Sequence, residues 1–403
     1  MNRRKKGGFA AGCCVALLLI TLCAAAGGGV LWYVGRTMAQ PGSASMQGAS
    51  GAPGGGAEDT GRQEPLFREG DTVDTVLAKM TLAEKVGQMF IVRCPEQGAA
   101  EKAAEYHLGG YILFRENFEE KTPVQAAEMV RACQAAAALP MLVGVDEEGG
   151  TVNRISGYPA FRDTPFASPQ ELYQAGGFDA VREDALEKCA FLEELGVNVN
   201  FAPVCDVSTD PEDFIYKRSF GRNAAETAQY VRTVVEAMGE RGMGSVLKHF
   251  PGYGNNADTH TGIALDARPY TTFEKSDLVP FESGIAAGSP FVLVSHNIVE
   301  CMDGAYPASL SAKVHTLLRD TLGFTGVIVT DDLAMDAVKA YAQDGSAAVL
   351  AIQAGNDMIV TTDYQTQIPQ VIAAVQSGEI AESDIDAHVF RVLHEKQALG
   401  LID

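Results

Sequence analysis

Ionisable residues in this chain gather where short apolar runs end. Asp146, Glu147 and Glu148 follow one such run, and Asp206 closes a second. Lys248 and His249 lie near the end of a third, and His296 ends a fourth. Asp331 and Asp332 follow a fifth, and the Gly/Asn-rich stretch after Phe250 adds Asp258 and His260. Carboxylates, imidazoles and a lysine in such company suit proton transfer or nucleophilic attack. Any one of them could be a capping carboxylate or a structural histidine, but the whole set at one rim is harder to explain that way. Asp258 and His260, two residues apart, could form a pair in which the carboxylate orients the imidazole. A metal site is the rival reading, because His249, Asp258, His260 and Asp331 could ligate a divalent ion. Barrel metallohydrolases often carry His-x-His on the first strand, and the first apolar run here has no histidine.

The elements that must position these residues follow from hydrophobic patterning. Eight strands are expected at Gly87–Val92, Gly110–Phe114, Met141–Asp146, Val197–Val207, Gly244–Phe250, Pro290–His296, Gly326–Asp331 and Asp357–Thr361. Several are unbroken Val/Ile/Leu/Phe runs, as strands buried on both faces should be. Helices are expected between them, at Pro123–Ala137, Asp179–Leu195, Ala225–Arg241, Ala312–Leu322, Ser346–Ala354 and Gln367–Ser377. Strand–helix alternation repeated eight times predicts an α/β fold, a (β/α)8 TIM-type barrel forming a single catalytic domain over residues 65–403. A doubly wound open sheet is the alternative. No G-x-G-x-x-G follows a strand, and no P-loop occurs, so nucleotide binding has no motif support. In a barrel the rim formed by the C-terminal strand ends carries the chemistry.

Composition narrows the partners. Apolar residues make up 46% and charged residues 21%, the balance of a folded protein. The net charge is −21, and every acidic residue lies beyond residue 36. So acidic a body argues against nucleic acid or an anionic membrane surface as partner. Eight cysteines include no C-x-x-C pair, so neither a zinc ribbon nor a disulfide scaffold is indicated, and buried free thiols are expected.

Residues 1–36 differ from the rest. Arg3, Arg4, Lys5 and Lys6 precede an uncharged run from Gly7 to Gly35, long enough to span a bilayer. The basic cluster should stay in the cytoplasm, which places the body outside. A single-pass transmembrane anchor is expected, with a cleaved signal peptide ending near Ala24-Ala25-Ala26 as the alternative. Residues 37–64, rich in Gly, Ala, Ser and Pro, read as a flexible linker.

Several motifs together resemble a known family. Lys248-His249-Phe250-Pro251-Gly252-Tyr253-Gly254, followed by Asp258-Thr259-His260, is similar to the K-H-F-P-G-H-G…D-S-H signature of glycoside hydrolase family 3, in its single-barrel β-N-acetylglucosaminidase branch. Val145 to Gly150 resembles its V-D-x-E-G-G, and Ala202 to Asp206 its A-P-V-x-D. Arg218 to Gly221 resembles R-S-F-G, and Gly326 to Met335 resembles G-V-I-x-S-D-D-L-x-M. The resemblance covers residues 72–400. It implies Asp331 as nucleophile, His260 as general acid/base and Asp258 as its partner. It also implies that Asp146, Arg218, Lys248 and His249 hold the sugar hydroxyls. Tyr253 departs from the family's His, Thr259 from its Ser, and Thr151 from the Arg that often follows E-G-G.

The activity so implied is a retaining exo-β-N-acetylglucosaminidase with no cofactor and no metal, working as a monomer. Its partners would be a GlcNAc-containing glycan or muropeptide and, through the N-terminal helix, the membrane. A β-glucosidase or β-xylosidase, a β-N-acetylglucosaminide phosphorylase, and a wall-binding protein without activity remain alternatives. The residues do not reveal the leaving group.

Overall fold

The eight expected strands all form, and they pair in parallel around a barrel. The computed structural model describes residues 66–67, 70–254, 256, 264–335, 338, 341 and 346–402, all within the unit Gly61–Asp403. The expected anchor (1–36) and linker (37–64) lie outside the described residues, as do Asp258 and His260. No helix among the described residues is long and apolar enough to cross a membrane.

The barrel strands are β1 Phe90–Arg93, β2 Gly110–Leu113, β3 Leu142–Val145, β4 Val199–Asn200, β5 Gly244–Phe250, β6 Phe291–Val294, β7 Val327–Thr330 and β8 Ile359–Thr361. Each pairs with its neighbours in chain order, and β1 pairs with β8. The seam between β7 and β8 is held by one bridge, Val329 with Met358. The Asp357 carboxylate reinforces it by accepting from the Ile328 amide at 2.8 Å. That carboxylate also binds Arg319, His388 and Arg391, which ties the C-terminal helix Glu382–Ala398 to the seam.

Alternation within each strand explains the unbroken apolar runs. Ile91, Ile112, Leu142, Val199, Val246, Phe291, Leu293, Val327, Val329 and Val360 fill the barrel interior. Their neighbours Phe90, Val92, Tyr111, Val143, Val145, Leu247, Val292, Val294 and Ile328 pack outward under the helices. One interior position on β3 is Gly144, where an added Cβ would sit 2.4 Å from the Phe201 ring. That ring occupies the space, so a large side chain beside β4 packs over a small residue on the neighbouring β3.

Expectation and structure differ in places. The first strand starts at Phe90, not Gly87. Thr81 and Glu84 form a capping box that starts the helix Leu82–Gln88, which absorbs Gly87 and Gln88. The fourth strand keeps only Val199–Asn200 of the expected Val197–Val207. Pro203 has no N–H to give a ladder, and pairing resumes only at the bridge between Val204 and Lys248. The expected helix Asp179–Leu195 forms as the second part of Pro169–Glu194; an unexpected first part, capped by Ser168 and Glu171, precedes the non-helical backbone at Gly176 and Gly177. Four of the described cysteines are buried as expected, but Cys301 is exposed. The helix Glu382–Ala398 was not expected, although Ile385, Val389, Val392 and Leu393 have helical spacing. Val392 joins the interior cluster, with Leu399 and Leu401 packed against it.

One turn beyond Val392, Lys396 is fully buried, and its ammonium donates to Gln88 Oε1 at 2.6 Å. Burial pushes its pKa down to about 7. The unfolded chain, with an ordinary lysine pKa of ~10.4, therefore holds this proton more tightly between those two values. Its penalty is full below pH 7 and fades as the pH rises. Lys396→Met is expected to stabilise the protein at pH 7 by roughly 2–3 kcal/mol, with the advantage shrinking by pH 9.5. Urea denaturation of both proteins at the two pH values checks this. A difference that does not change with pH would contradict it.

Candidate active site

Asp146, Arg218, Lys248, His249 and Asp331 line one cavity of about 220 Å³ at the C-terminal ends of the strands. Its floor is the top interior layer of the barrel: Ile112, Phe201, Leu293 and Val360. Arg93, Phe114, Arg154 and Met335 contribute to the wall. A small concave site with an apolar floor and converging polar groups is suited to a compact polar ligand.

Lys248 holds the polar groups together. It projects from β5 with 2% exposure, and its Nζ lies 2.7 Å from Asp146 Oδ1 and 2.5 Å from Glu148 Oε1. Glu148 also grips Arg218 in a fork, at 2.7 Å from Nη2 and 3.0 Å from Nε. Burial alone would push the Glu148 carboxyl up. The Arg218 and Lys248 charges outweigh it and hold the carboxyl well below the usual carboxylate range. Arg218 answers in kind: burial would lower its pKa, but Glu148 first and Asp146 beyond it hold it above the usual value.

The chain of contacts runs on at both ends. Asp146 Oδ2 lies 3.5 Å from Arg154 Nη2. At the other end, Arg218 Nη2 meets His249 Nε2 at 3.2 Å. A guanidinium can only donate, so Nε2 accepts and the ring proton sits on Nδ1, donated to Asp206 Oδ2 at 2.7 Å. Asp206 also accepts from the amides of His249 at 3.2 Å and Tyr253 at 2.7 Å. It thereby fixes the start of the loop that leads toward Asp258 and His260.

Asp331 sits just past β7, partly exposed to the cavity, with its amide donating to Val294 O at 3.1 Å. Its Oδ1 accepts from the Asp332 amide at 2.8 Å. His296, completely buried, does not reach the cavity. It donates from Nε2 to Asp332 O at 3.0 Å and accepts at Nδ1 from Ser309 Oγ at 2.7 Å. Its work is to hold the backbone of the Asp331-Asp332 turn.

The three consecutive acids do three different jobs. Asp146 faces the cavity and Glu148 neutralises the cations. Glu147 is buried, which pushes its pKa up, and accepts from the amides of Arg154 (3.0 Å), Ile155 (2.9 Å) and Ser156 (3.2 Å). That binding folds the hairpin of Glu147–Gly149 and Val152–Asn153 so that Arg154 enters the cavity. Sequence reasoning missed Arg154, and it put Glu148 at the rim without giving it a role. Thr151, which stands where the resembled family often has an arginine, is exposed, and Arg154, three residues further on, is the arginine that lines the cavity. Among the described residues, no group of three or more His, Cys, Asp or Glu is placed to hold a metal ion.

Comparison with known proteins bears on this arrangement. Residues 81–394 match the model of the glycosyl hydrolase family 3 N terminal domain. A beta-hexosaminidase of Nitrosomonas eutropha is 33% identical over 279 residues, covering 67% of this chain and 78% of that protein. The beta-hexosaminidase LpqI of Mycobacterium tuberculosis is 30% identical over 327 residues, covering 78% of this chain and 82% of that protein. Among solved structures, a glycoside hydrolase family 3 beta-N-acetylglucosaminidase from Paenibacillus sp. is similar with a TM-score of 0.74 and 32% identity, over 80% of this chain and 63% of that one. The structure of LpqI from M. tuberculosis gives a TM-score of 0.73 and 28% identity, over 82% and 98%.

The Glu148 network makes a stability prediction. Glu148→Gln leaves two largely buried cations without their closest shared counter-charge, and is expected to cost about 3–5 kcal/mol. Because the folded carboxyl titrates low, the loss is full above the ordinary glutamate pKa of ~4.3 and narrows as the pH falls below it. Denaturant titration at pH 7 and pH 3.5 checks both statements. Equal stability at pH 7 would mean that Glu148 is not what holds the cations.

Proposed function

The chain belongs to glycoside hydrolase family 3 and is a glycoside hydrolase, and from that premise we propose that it is a retaining exo-β-N-acetylglucosaminidase. One observation carries the reading. The Asp331 carboxylate lies at a strand end in the same small cavity as Asp146, Arg218, Lys248 and His249. Relatives named beta-hexosaminidase support an N-acetylhexosamine in that cavity. Terminal GlcNAc of peptidoglycan fragments or chitooligosaccharides is the proposed substrate.

In this reading the sugar hydroxyls bind among groups that are already oriented. Glu148 absorbs the charge of Lys248 and Arg218 and fixes their donors in direction, so little reorganisation accompanies the reaction. Asp331 attacks the anomeric carbon, and the bond to the leaving oxygen breaks as that oxygen takes a proton from His260. Water then gives a proton to His260 and attacks the same carbon, releasing Asp331. Asp258 orients the imidazole and stabilises its charged form. The roles of His260 and Asp258 rest on the sequence resemblance. Of the other acids that could give a proton, Glu148 and Asp266 are held by arginines and Glu147 by backbone amides. The enzyme acts as a monomer at the outer face of the cytoplasmic membrane, held there by the run from Gly7 to Gly35. That placement rests on the sequence alone, and recovery of the full-length chain in the cytosol would contradict it.

The test separates leaving groups. A disaccharide leaves as a poor alkoxide and needs the proton, whereas a nitrophenolate hardly does. His260→Ala is expected to slow chitobiose cleavage by ~10²–10⁴-fold and nitrophenyl N-acetylglucosaminide far less. Equal losses would make His260 a binding residue. Rates on glucose, xylose and N-acetylglucosamine glycosides, with and without phosphate, decide the sugar and the acceptor. Preference for glucose or xylose, or phosphate-dependent release of a sugar phosphate, would overturn the proposal.

A further inference from the structure

We propose that Lys188 is a positioning residue for the sugar cavity, acting through the backbone of Glu148. Its consequence for sugar binding rests on the function proposed above. Glu148 lies where the hairpin of Glu147–Gly149 and Val152–Asn153 is irregular: Glu147 faces Asn153 and Gly149 faces Val152, with a register shift between them. The Glu148 carbonyl is therefore left to a donor from outside the pairing. That donor is Lys188 Nζ, at 3.1 Å. Lys188 belongs to the second part of the helix Pro169–Glu194 and is buried. Glu148 is thus held at both ends. Its carboxylate meets Lys248 and Arg218, which line the sugar cavity, and its carbonyl meets Lys188, which does not.

The next residue comes down onto the same ammonium. An added Cβ on Gly149, at φ +96°, would sit 3.2 Å from Lys188 Nζ and 2.2 Å from Ala167 O. The Phe166 ring covers another side of the ammonium, with its centroid 5.3 Å from Nζ. Phe166 O in turn accepts from the Gly150 amide at 2.9 Å. Ammonium, ring and hairpin therefore make one block.

Two features give the ammonium its role. Packing alone does not set the depth of the hairpin, because a small cavity of about 20 Å³ lies against it, lined by Glu147, Glu148, Asp184, Lys188, Asn200 and Tyr230. The charge of Lys188 is balanced within its own helix, by Asp184 Oδ2 at 2.5 Å one turn earlier. The hairpin is not needed to neutralise the lysine. A buried pair of this kind adds little stability over apolar side chains of the same size, and Leu172, Val181 and Met238 already line the same cavity. What the pair does add is a charge-assisted donor aimed at one carbonyl. The hairpin fixed in this way has Asp146 just before it and Arg154 just after it, and both line the sugar cavity.

Two variants separate the donor from the ion pair. Asp184→Asn removes the charge partner and keeps the ammonium, whereas Lys188→Met with Asp184→Asn removes both charges and the donor. Asp184→Asn is expected to lower the urea midpoint, because a buried cation is left unpaired, yet to keep the competitive Ki of N-acetylglucosamine within about twofold of the wild type. The double variant is expected to be the more stable of the two, with Ki raised about tenfold by the loss of one charge-assisted hydrogen bond. Lys188→Leu with Asp184→Leu serves the same purpose should the Met variant not fold. A lysine with only a structural role gives the reverse order, with Ki following stability. An unchanged Ki in the double variant, or an equal rise in Asp184→Asn, overturns the proposal. Wild-type protein that cleaves glucosides and not N-acetylglucosaminides would defeat the proposed sugar. Glucose then replaces N-acetylglucosamine as the inhibitor, and the same comparison decides the role of Lys188.

Discussion

The ammonium of Lys248 sits almost out of water between two carboxylates, and the site is organised by the need to keep it there. A buried cation is costly unless its partners are close and well aimed. Asp146 and Glu148 meet that need at 2.7 and 2.5 Å, and each brings a second cation with it. Glu148 brings Arg218, which in turn fixes the tautomer of His249 and through it the contact with Asp206. Asp146 brings Arg154. Residues from the segments that follow β3 and β4, and from β5 itself, are thus held by one alternating line of charges. Such a network is worth most when every member is satisfied, and it loses direction when one is removed.

The line can be this exact because the barrel beneath it is rigid. Its top interior layer doubles as the cavity floor, and there the Phe201 ring fills the space over Gly144. Far from the site, Asp357 closes the β7–β8 seam, and β7 is the strand that presents Asp331. His296 and Ser309 then hold the turn that follows. The apolar layers fix the strands, the strands fix the loop origins, and buried polar pairs fix the last few ångströms.

Much of this was legible in the sequence. The eight strands announced themselves as unbroken Val/Ile/Leu/Phe runs, because both faces of each strand are covered. Asp146, Arg218, Lys248, His249 and Asp331 were recognisable from their motifs, and the structure brings them together. What the sequence hid depends on tertiary contacts. Nothing local distinguishes Glu147 from Glu148, yet one folds a hairpin and the other neutralises two cations. Arg154 enters the cavity only because Glu147 gathers the amides around it. The fourth strand looked long because its residues are apolar, but Pro203 ends the ladder. His296 looked like a rim residue and proved to be fully buried, with its two nitrogens bonded to Asp332 and Ser309.

Asp331, presented by β7 above this floor, is the proposed partner in the bond to the sugar. Mass spectrometry of the protein after incubation with a slow fluorinated N-acetylglucosaminyl donor tests it most directly. One glycosyl adduct per chain is expected, on the peptide containing Asp331 and mapped to its carboxylate by fragmentation. An adduct on Asp332 or Glu148, or turnover of the donor with inversion and no adduct, would contradict it.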